Sequence, residues 1–247
     1  MLLNIRIMSK IMIEGEQQEA SLEKFFEALS RGELLEMTNE EREHFYAGMT
    51  QEDIVRYYQS VCSLEDEVRG KILAKWIPKP KILYHASHSD NIEAFEPREK
   101  SKRNENDPPL IFSSPMKAVS SMFLLEHSNA DISGSYDGGK TWTLVADNLD
   151  DLKKRDRPGF IYSFPPNDFN VDPQIGLGLY EWASEKAVVP SSKEIVDSGL
   201  RTMLELGVRI FVSSDQVSLS EFRNGDQAIL LGKMKRISLE DIDKPRG

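Results

Sequence analysis

Cysteine occurs once in the 247 residues, as Cys62. No internal disulfide can therefore staple the fold, and zinc sites built from several thiolates are excluded. A lone thiol fits a reducing compartment. Histidine is scarce too, with only His44, His85, His88 and His127. His85 and His88 stand close in sequence, but nothing nearby completes a ligand set at a familiar spacing, so no metal is expected. Apolar runs long enough to span a bilayer are missing. Arg6 and Lys10 break the apolar start of the chain, unlike the continuous centre of a signal peptide. These absences predict a cytoplasmic protein, or one secreted by a route that leaves no conventional signal peptide, with no membrane partner. No phosphate-binding glycine loop, dinucleotide glycine fingerprint or serine-hydrolase elbow occurs. Positive charge is short as well: 31 Lys and Arg face 41 Asp and Glu, for a net charge of −10. Broad electrostatic grip on nucleic acid needs basic surface, so only a local basic patch is left open.

Hydrophobic residues make up 39% of the chain and charged residues 29%. Both are near globular norms, and a chain of this length can bury a real core. Two regimes of pattern divide it. Residues 19–76 have helical periodicity. Ser21 is a candidate cap for a helix that turns Leu22, Phe25, Phe26 and Leu29 to one side. Thr38 and Glu41 form a capping-box pattern. From Thr50, the apolar positions Ile54, Tyr57, Tyr58, Val61, Leu64, Val68 and Ile72 recur as on one long helix. Pro78 and Pro80 end this regime. The expected organisation is a helical segment over 1–78 followed by an α+β domain over 79–247.

In the second region the pattern changes to short strands and turns. Strands are expected at Ile82–His85, Leu110–Ser113, Thr141–Val145, Phe160–Phe164, Val208–Val212 and Ala228–Leu231, the fifth with half-buried alternation. Asp137-Gly138-Gly139 is a turn signal. Pro115 suits the first turn of a helix that sets Met116, Val119 and Phe123 on one side. Ser191 with Glu194 reads as a capping box that opens a helix through Leu204, closed by Gly207. The tail from Asp243 is expected to fray. The loop from Glu96 to Pro109 carries Arg98, Lys100, Lys102 and Arg103. It reads either as a solvated loop or as a grip on phosphate beside a nucleotide site.

Three segments carry candidate chemistry. In Leu83-Tyr84-His85-Ala86-Ser87 a histidine on a strand stands beside a small residue. The imidazole can bond a ribose hydroxyl, and the backbone at Ala86 can read a carboxamide. Equally, the histidine can bond within the sheet. In Leu110-Ile111-Phe112-Ser113-Ser114, Phe112 is either a stacking wall for a flat ring or core. In Leu179-Tyr180-Glu181-Trp182-Ala183-Ser184, which leads to Val188-Val189-Pro190, Glu181 sits among apolar neighbours. A carboxylate there either faces water or serves glycosidic cleavage. Pairs of Glu181 with Asp147 or Asp172 would suit a glycosidase, although their spacing specifies nothing.

Taken in order, these segments resemble the His–Tyr–Glu branch of the ADP-ribosyltransferases, the diphtheria-toxin and PARP-like enzymes. His85-Ala86-Ser87 is similar to the family's histidine strand. Ile111-Phe112-Ser113-Ser114 with Ala118 and Phe123 is similar to its aromatic strand and helix, and Glu181 to its late glutamate. The Glu-Trp-x-Ser…Val-x-Pro stretch also looks like the glutamate segment of toxins that modify DNA bases. The sequence departs from the family where Phe112 stands for a tyrosine and Ala86 for a glycine. The resemblance covers residues 82–213 at most. It implies an ADP-ribosyltransferase-like split β-sheet domain and NAD as cofactor. His85, Ala86, Ser87, Phe112 and Arg98 would contact NAD, with His85 and Glu181 catalytic. The acceptor stays open among protein, nucleic acid, small molecule and water. Rival readings are a non-catalytic binding module on the same fold, and an RNA 2′-phosphotransferase drawing on Arg98, Lys102, Arg103 and Lys153-Lys154-Arg155.

Overall fold

The computed structural model describes residues 15–31, 37–102, 105–126, 132–136, 142–175 and 177–243. It is a mixture of helices and sheets, as expected for an α+β chain. Two compact units divide it, Met1–Pro80 and Lys81–Gly247. The sequence pattern had put the change of regime at residue 78. Among the described residues, no helix is long and apolar enough to cross a membrane.

The first unit contains α1 (Gly15–Ser30), α2 (Asn39–Gly48), α3 (Gln51–Cys62) and α4 (Asp66–Lys75). Thr38 and Glu41 form the full reciprocal box at the start of α2, and Thr50 with Asp53 repeats it at α3. Each box satisfies two amide donors that the helix itself cannot. Phe25, Leu29, Ile54, Tyr57, Tyr58 and Val61 are fully buried. Phe25 stacks on Phe45 and meets Trp76 edge-on. The Tyr57 hydroxyl donates to the Trp76 carbonyl at 3.0 Å, so the aromatic core also ties down the chain beyond α4. Two expectations are corrected. The helix starts at Gly15, so Ser21 lies inside it rather than at its cap. The stretch from Thr50 is two helices, because the chain breaks at Ser63 and Leu64 before Asp66. A continuous apolar stripe cannot report such a break, since both helices bury the same side.

The second unit runs β1 (Leu83–Ser87), β2 (Ile111–Ser113), α5 (Lys117–Ser121), β3 (Ile132–Tyr136), β4 (Trp142–Ala146), α6 (Leu149–Arg155), β5 (Gly159–Phe164), β6 (Asn170–Val171), β7 (Trp182–Ser184) and β8 (Ser192–Val196). It continues with α7 (Gly199–Glu205), β9 (Arg209–Val212), α8 (Leu219–Asn224), α9 (Gln227–Leu231), β10 (Lys235–Ile237) and α10 (Leu239–Asp243). The strands form three sheets, in the orders β1-β5-β8, β2-β7-β6 and β10-β9-β4-β3. All pairs are antiparallel except β4 with β9. The first two sheets meet at one seam. There the Tyr84 amide donates to the Ser114 carbonyl at 2.7 Å, and the Ser114 amide returns the bond to Tyr84 at 2.8 Å. One core holds Ala86, Leu124, Ile161 and Val196 beneath β1 and β5. A second holds Val145, Phe211, Val217, Leu219, Phe222 and Met234 under the four-stranded sheet.

Several expected elements change type. Residues 192–196 are strand β8, paired with β5, not the start of a helix. The Ser191 hydroxyl donates to the Ser163 carbonyl instead of capping. The helix begins after Ser198, whose side chain accepts from Arg201 N. Gly207, at φ 85°, does end that turn. Ala228–Leu231 lies in helix α9, capped by Asp226, and the last strand is β10. Strand β9 buries Ile210, Phe211 and Val212 in succession, because it is covered by β4 and β10 on its two edges and packs on both faces. Pro115 sits in the turn before α5, where the Ser114 hydroxyl accepts from Met116 N. Asp243 is helical and ion-paired with Arg201. The expected turn at Asp137-Gly138-Gly139, the chain start, Arg103 and His127 fall outside the described residues.

Gly159 opens β5 beside the end of β1. A Cβ there would lie 2.5 Å from Leu124 Cδ2 and 2.8 Å from the Ser87 carbonyl oxygen. Overpacking of this kind costs about 1–3 kcal/mol. Gly159→Ala is expected to lower the midpoint of chemical unfolding of the second unit by that amount, measured by near-ultraviolet circular dichroism in urea.

Candidate functional site

Strand β1 delivers His85 to the seam between two sheets. Its Nδ1 lies 2.6 Å from the Phe112 carbonyl oxygen. A carbonyl only accepts, so Nδ1 carries the proton and Nε2 is left as an acceptor. The ring is held a second way, edge-on against Phe95 with centroids 4.8 Å apart. Phe95 in turn packs on Tyr162 and Phe164. Its backbone pairs with Val188 at 2.9 and 3.0 Å. The Phe95-Glu96-Pro97 turn and the Val188-Val189-Pro190 stretch, remote in sequence, are thus neighbours.

Burial pushes the His85 pKa below the ordinary histidine value. The bond to the Phe112 carbonyl opposes that shift, and the positive charge of Arg98 adds to it. The imidazole is therefore neutral at physiological pH and suited to accept a hydrogen bond at Nε2. Arg98 is itself exposed. It bridges to Leu110 just before β2, which brings its charge near the ring.

Glu181 is positioned by a tight turn. Gly178 adopts φ 57°, a left-handed conformation that a Cβ would strain and in which it would meet the Pro173 carbonyl at 3.2 Å. The turn then closes with Glu181 N donating to the Gly178 carbonyl at 3.0 Å. Tyr180 and Trp182, on either side, are almost fully buried, and Trp182 Nε1 donates to the Leu179 carbonyl. The flanking side chains fix the backbone, and Glu181 is left half-buried immediately ahead of β7. Strand β7 pairs with β2 through Phe112↔Ala183 and Ser113↔Trp182.

These arrangements converge on one cleft of about 270 Å³, open to solvent. Tyr84, His85, Ala86, Phe112, Tyr180 and Glu181 line it, together with Ser113, Ser114, Val119, Ser120, Phe123 and Leu177. Of the residues singled out from the sequence, His85, Ala86, Phe112 and Glu181 are brought together. Ser87 and Arg98 are not part of the lining. The Ser87 hydroxyl accepts from the Ser89 amide. Phe123 is the residue that sequence reasoning undervalued. It was placed on a helix side, whereas it sits on the cleft wall with 53% of its surface exposed. A large aromatic left in water beside a cleft is the signal that identifies it.

Other candidates disperse. His88 Nδ1 bonds the Pro158 carbonyl, away from the partner of His85. Among the described residues no group of three or more His, Cys, Asp and Glu could hold a metal ion. Asp147 accepts from Ser213 and from the Leu219 amide, and Asp172 accepts from Gln174 N. Neither aspartate lines the cleft with Glu181. Lys102 is paired with Glu99 at 2.6 Å and Lys154 with Asp151 at 3.1 Å. Comparison with protein-family models, with curated proteins and with solved structures found no match for this chain.

The His85 shift has a stability consequence. The folded pKa lies below the unfolded value of 6.5, so between these values the unfolded chain binds a proton that the folded chain refuses. The stability is fully present above pH 6.5 and is lost as pH falls toward the folded pKa. The urea midpoint of the wild type is expected to fall more steeply between pH 7.5 and 5.5 than that of His85→Gln, and equal slopes would refute the buried neutral ring.

Proposed function

We propose that the Lys81–Gly247 unit is an NAD-dependent ADP-ribosyltransferase with an ADP-ribosyltransferase-like fold. It breaks the nicotinamide–ribose bond and transfers ADP-ribose to an acceptor. The observation that carries this reading is the convergence of His85, Ala86, Phe112 and Glu181, drawn from three distant segments, on one cleft. These are the residues, in the order, on which the resemblance to the His–Tyr–Glu enzymes rests.

The residues present fit the nicotinamide riboside end of NAD. A cleft of about 270 Å³ is just under the roughly 300–1,000 Å³ of sites for whole drug-sized ligands, so it suits one ring and its sugar. Phe112 and Phe123 offer aromatic faces to a flat ring. The Ala86 backbone offers polar groups for a carboxamide, and His85 Nε2 accepts from a ribose hydroxyl. Arg98, exposed and close enough to act on His85 by its charge, is the cation to meet a phosphate.

When bound, NAD supplies the labile glycosidic bond. The protein's part is orientation and charge. Glu181 accepts a hydrogen bond from the 2′-hydroxyl of the ribose and stabilises the positive charge that grows on the sugar as the bond breaks. The bond from Nδ1 to the Phe112 carbonyl keeps His85 in the tautomer that can hold the sugar. The acceptor nucleophile, whose class is not specified by these residues, then attacks the sugar carbon.

A second reading is favoured by the two departures at Phe112 and Ala86: a binding module that kept the fold and lost the chemistry. An RNA 2′-phosphotransferase is less well supported, because Lys102 and Lys154 are already engaged by carboxylates.

Nicotinamide release from NAD by the purified protein separates these readings. Glu181→Gln is expected to lower release by about 10²–10³-fold with the circular dichroism spectrum and most NAD binding retained. Release unchanged in the variant would remove Glu181 from the site. Binding with no release by the wild type would favour the binding module.

A further inference from the structure

Three serines line the cleft, and they differ in what their hydroxyls do. The Ser114 hydroxyl accepts from the Met116 amide at 3.1 Å. The Ser120 hydroxyl donates to the Tyr84 carbonyl at 2.8 Å. Ser113 is only 5% exposed, yet its Oγ has no hydrogen-bond partner among the described residues. A hydroxyl kept from water without a partner is destabilising by about 1–3 kcal/mol, and native chains rarely retain one without use. An apolar residue of similar size would pack there without that penalty.

The position of Ser113 indicates the use. It directly follows Phe112, whose carbonyl holds His85, and it pairs across β2 and β7 with Trp182, the residue after Glu181. It therefore stands in the backbone that joins the histidine side of the cleft to the glutamate side. His85 Nε2 is an acceptor only and suits a sugar hydroxyl. A hydroxyl can both donate and accept, which matches a primary amide. The carboxamide is the polar group at the rim of a nicotinamide ring, so it is the part of that ligand able to satisfy a buried hydroxyl.

We infer that Ser113 is a specificity residue of the cleft: its hydroxyl hydrogen-bonds the carboxamide of the bound nicotinamide ring. This rests on the reading of the cleft as an NAD site. The amide recognises the hydroxyl, and a ring lacking it leaves Oγ buried and unsatisfied, which penalises such ligands. The effect acts on the ring end of the ligand and not on the ADP-ribose end.

The test compares Ser113→Ala with wild type for binding of NAD and of ADP-ribose by isothermal titration calorimetry, and for thermal midpoint without ligand. The expected result is NAD binding weakened about 2- to 10-fold, the value of one neutral hydrogen bond. ADP-ribose binding should be unchanged, and the unliganded midpoint unchanged or raised, because an unsatisfied hydroxyl has been removed. Equal NAD affinity in the two proteins would overturn the role of Ser113 and leave the NAD site standing. Equal losses for NAD and ADP-ribose, with a lowered midpoint, would mark Ser113 as a packing residue and overturn it as well. Absence of NAD binding by the wild type at millimolar concentration would overturn the NAD reading, and the assignment of the carboxamide with it.

Discussion

The hydrogen bond from His85 Nδ1 to the Phe112 carbonyl is the contact on which the second unit's site depends. It joins a side chain of β1 to the backbone of β2, at the seam where two three-stranded sheets meet. The paired backbone bonds between Tyr84 and Ser114 hold that seam at fixed spacing. The same contact sets the tautomer of the ring and hence the chemistry open to Nε2. Since β2 also pairs with β7, one short strand ties the imidazole to the turn that presents Glu181. A displacement of β2 would disturb both walls of the cleft at once.

Local charge matters here more than total charge. The chain is acidic overall, yet the charge felt at His85 is that of Arg98. Burial keeps the imidazole neutral, and the cation nearby reinforces this. A neutral acceptor beside an exposed guanidinium is an arrangement for a ligand that combines hydroxyls with an anion, such as a nucleotide. Elsewhere the lysines are matched locally, as in Lys117 with Glu194 and Lys154 with Asp151. That pattern gives no extended basic surface of the kind nucleic acid requires.

Much of the architecture was legible in local pattern. The capping box at Thr38 is a self-contained motif over four residues, and it forms as written. Phe160–Phe164 is dense in aromatic and branched residues, and it is the centre of a sheet. The failures share a cause, which is a partner remote in sequence. Ser191 and Glu194 have the spacing of a cap, but pairing with β5 overrides it. Leu64 and Val68 continue the apolar stripe of α3, so nothing local betrays the break. For the site, the residue types of His85 and Glu181 were readable, but their shared cleft depends on the seam and on the Phe95–Val188 pairing, neither of which leaves a local trace. Phe123 was hidden for the same reason: its exposure is a property of the packed chain.

The most direct test of the central claim, that His85, Phe112 and Glu181 build one NAD site, is a crystal structure of the protein grown with NAD. The account predicts the nicotinamide ring between Phe112 and Phe123, with the ribose within hydrogen-bond distance of His85 Nε2 and the Glu181 carboxylate. NAD bound elsewhere on the chain, or a ring lying outside this cleft, would contradict it.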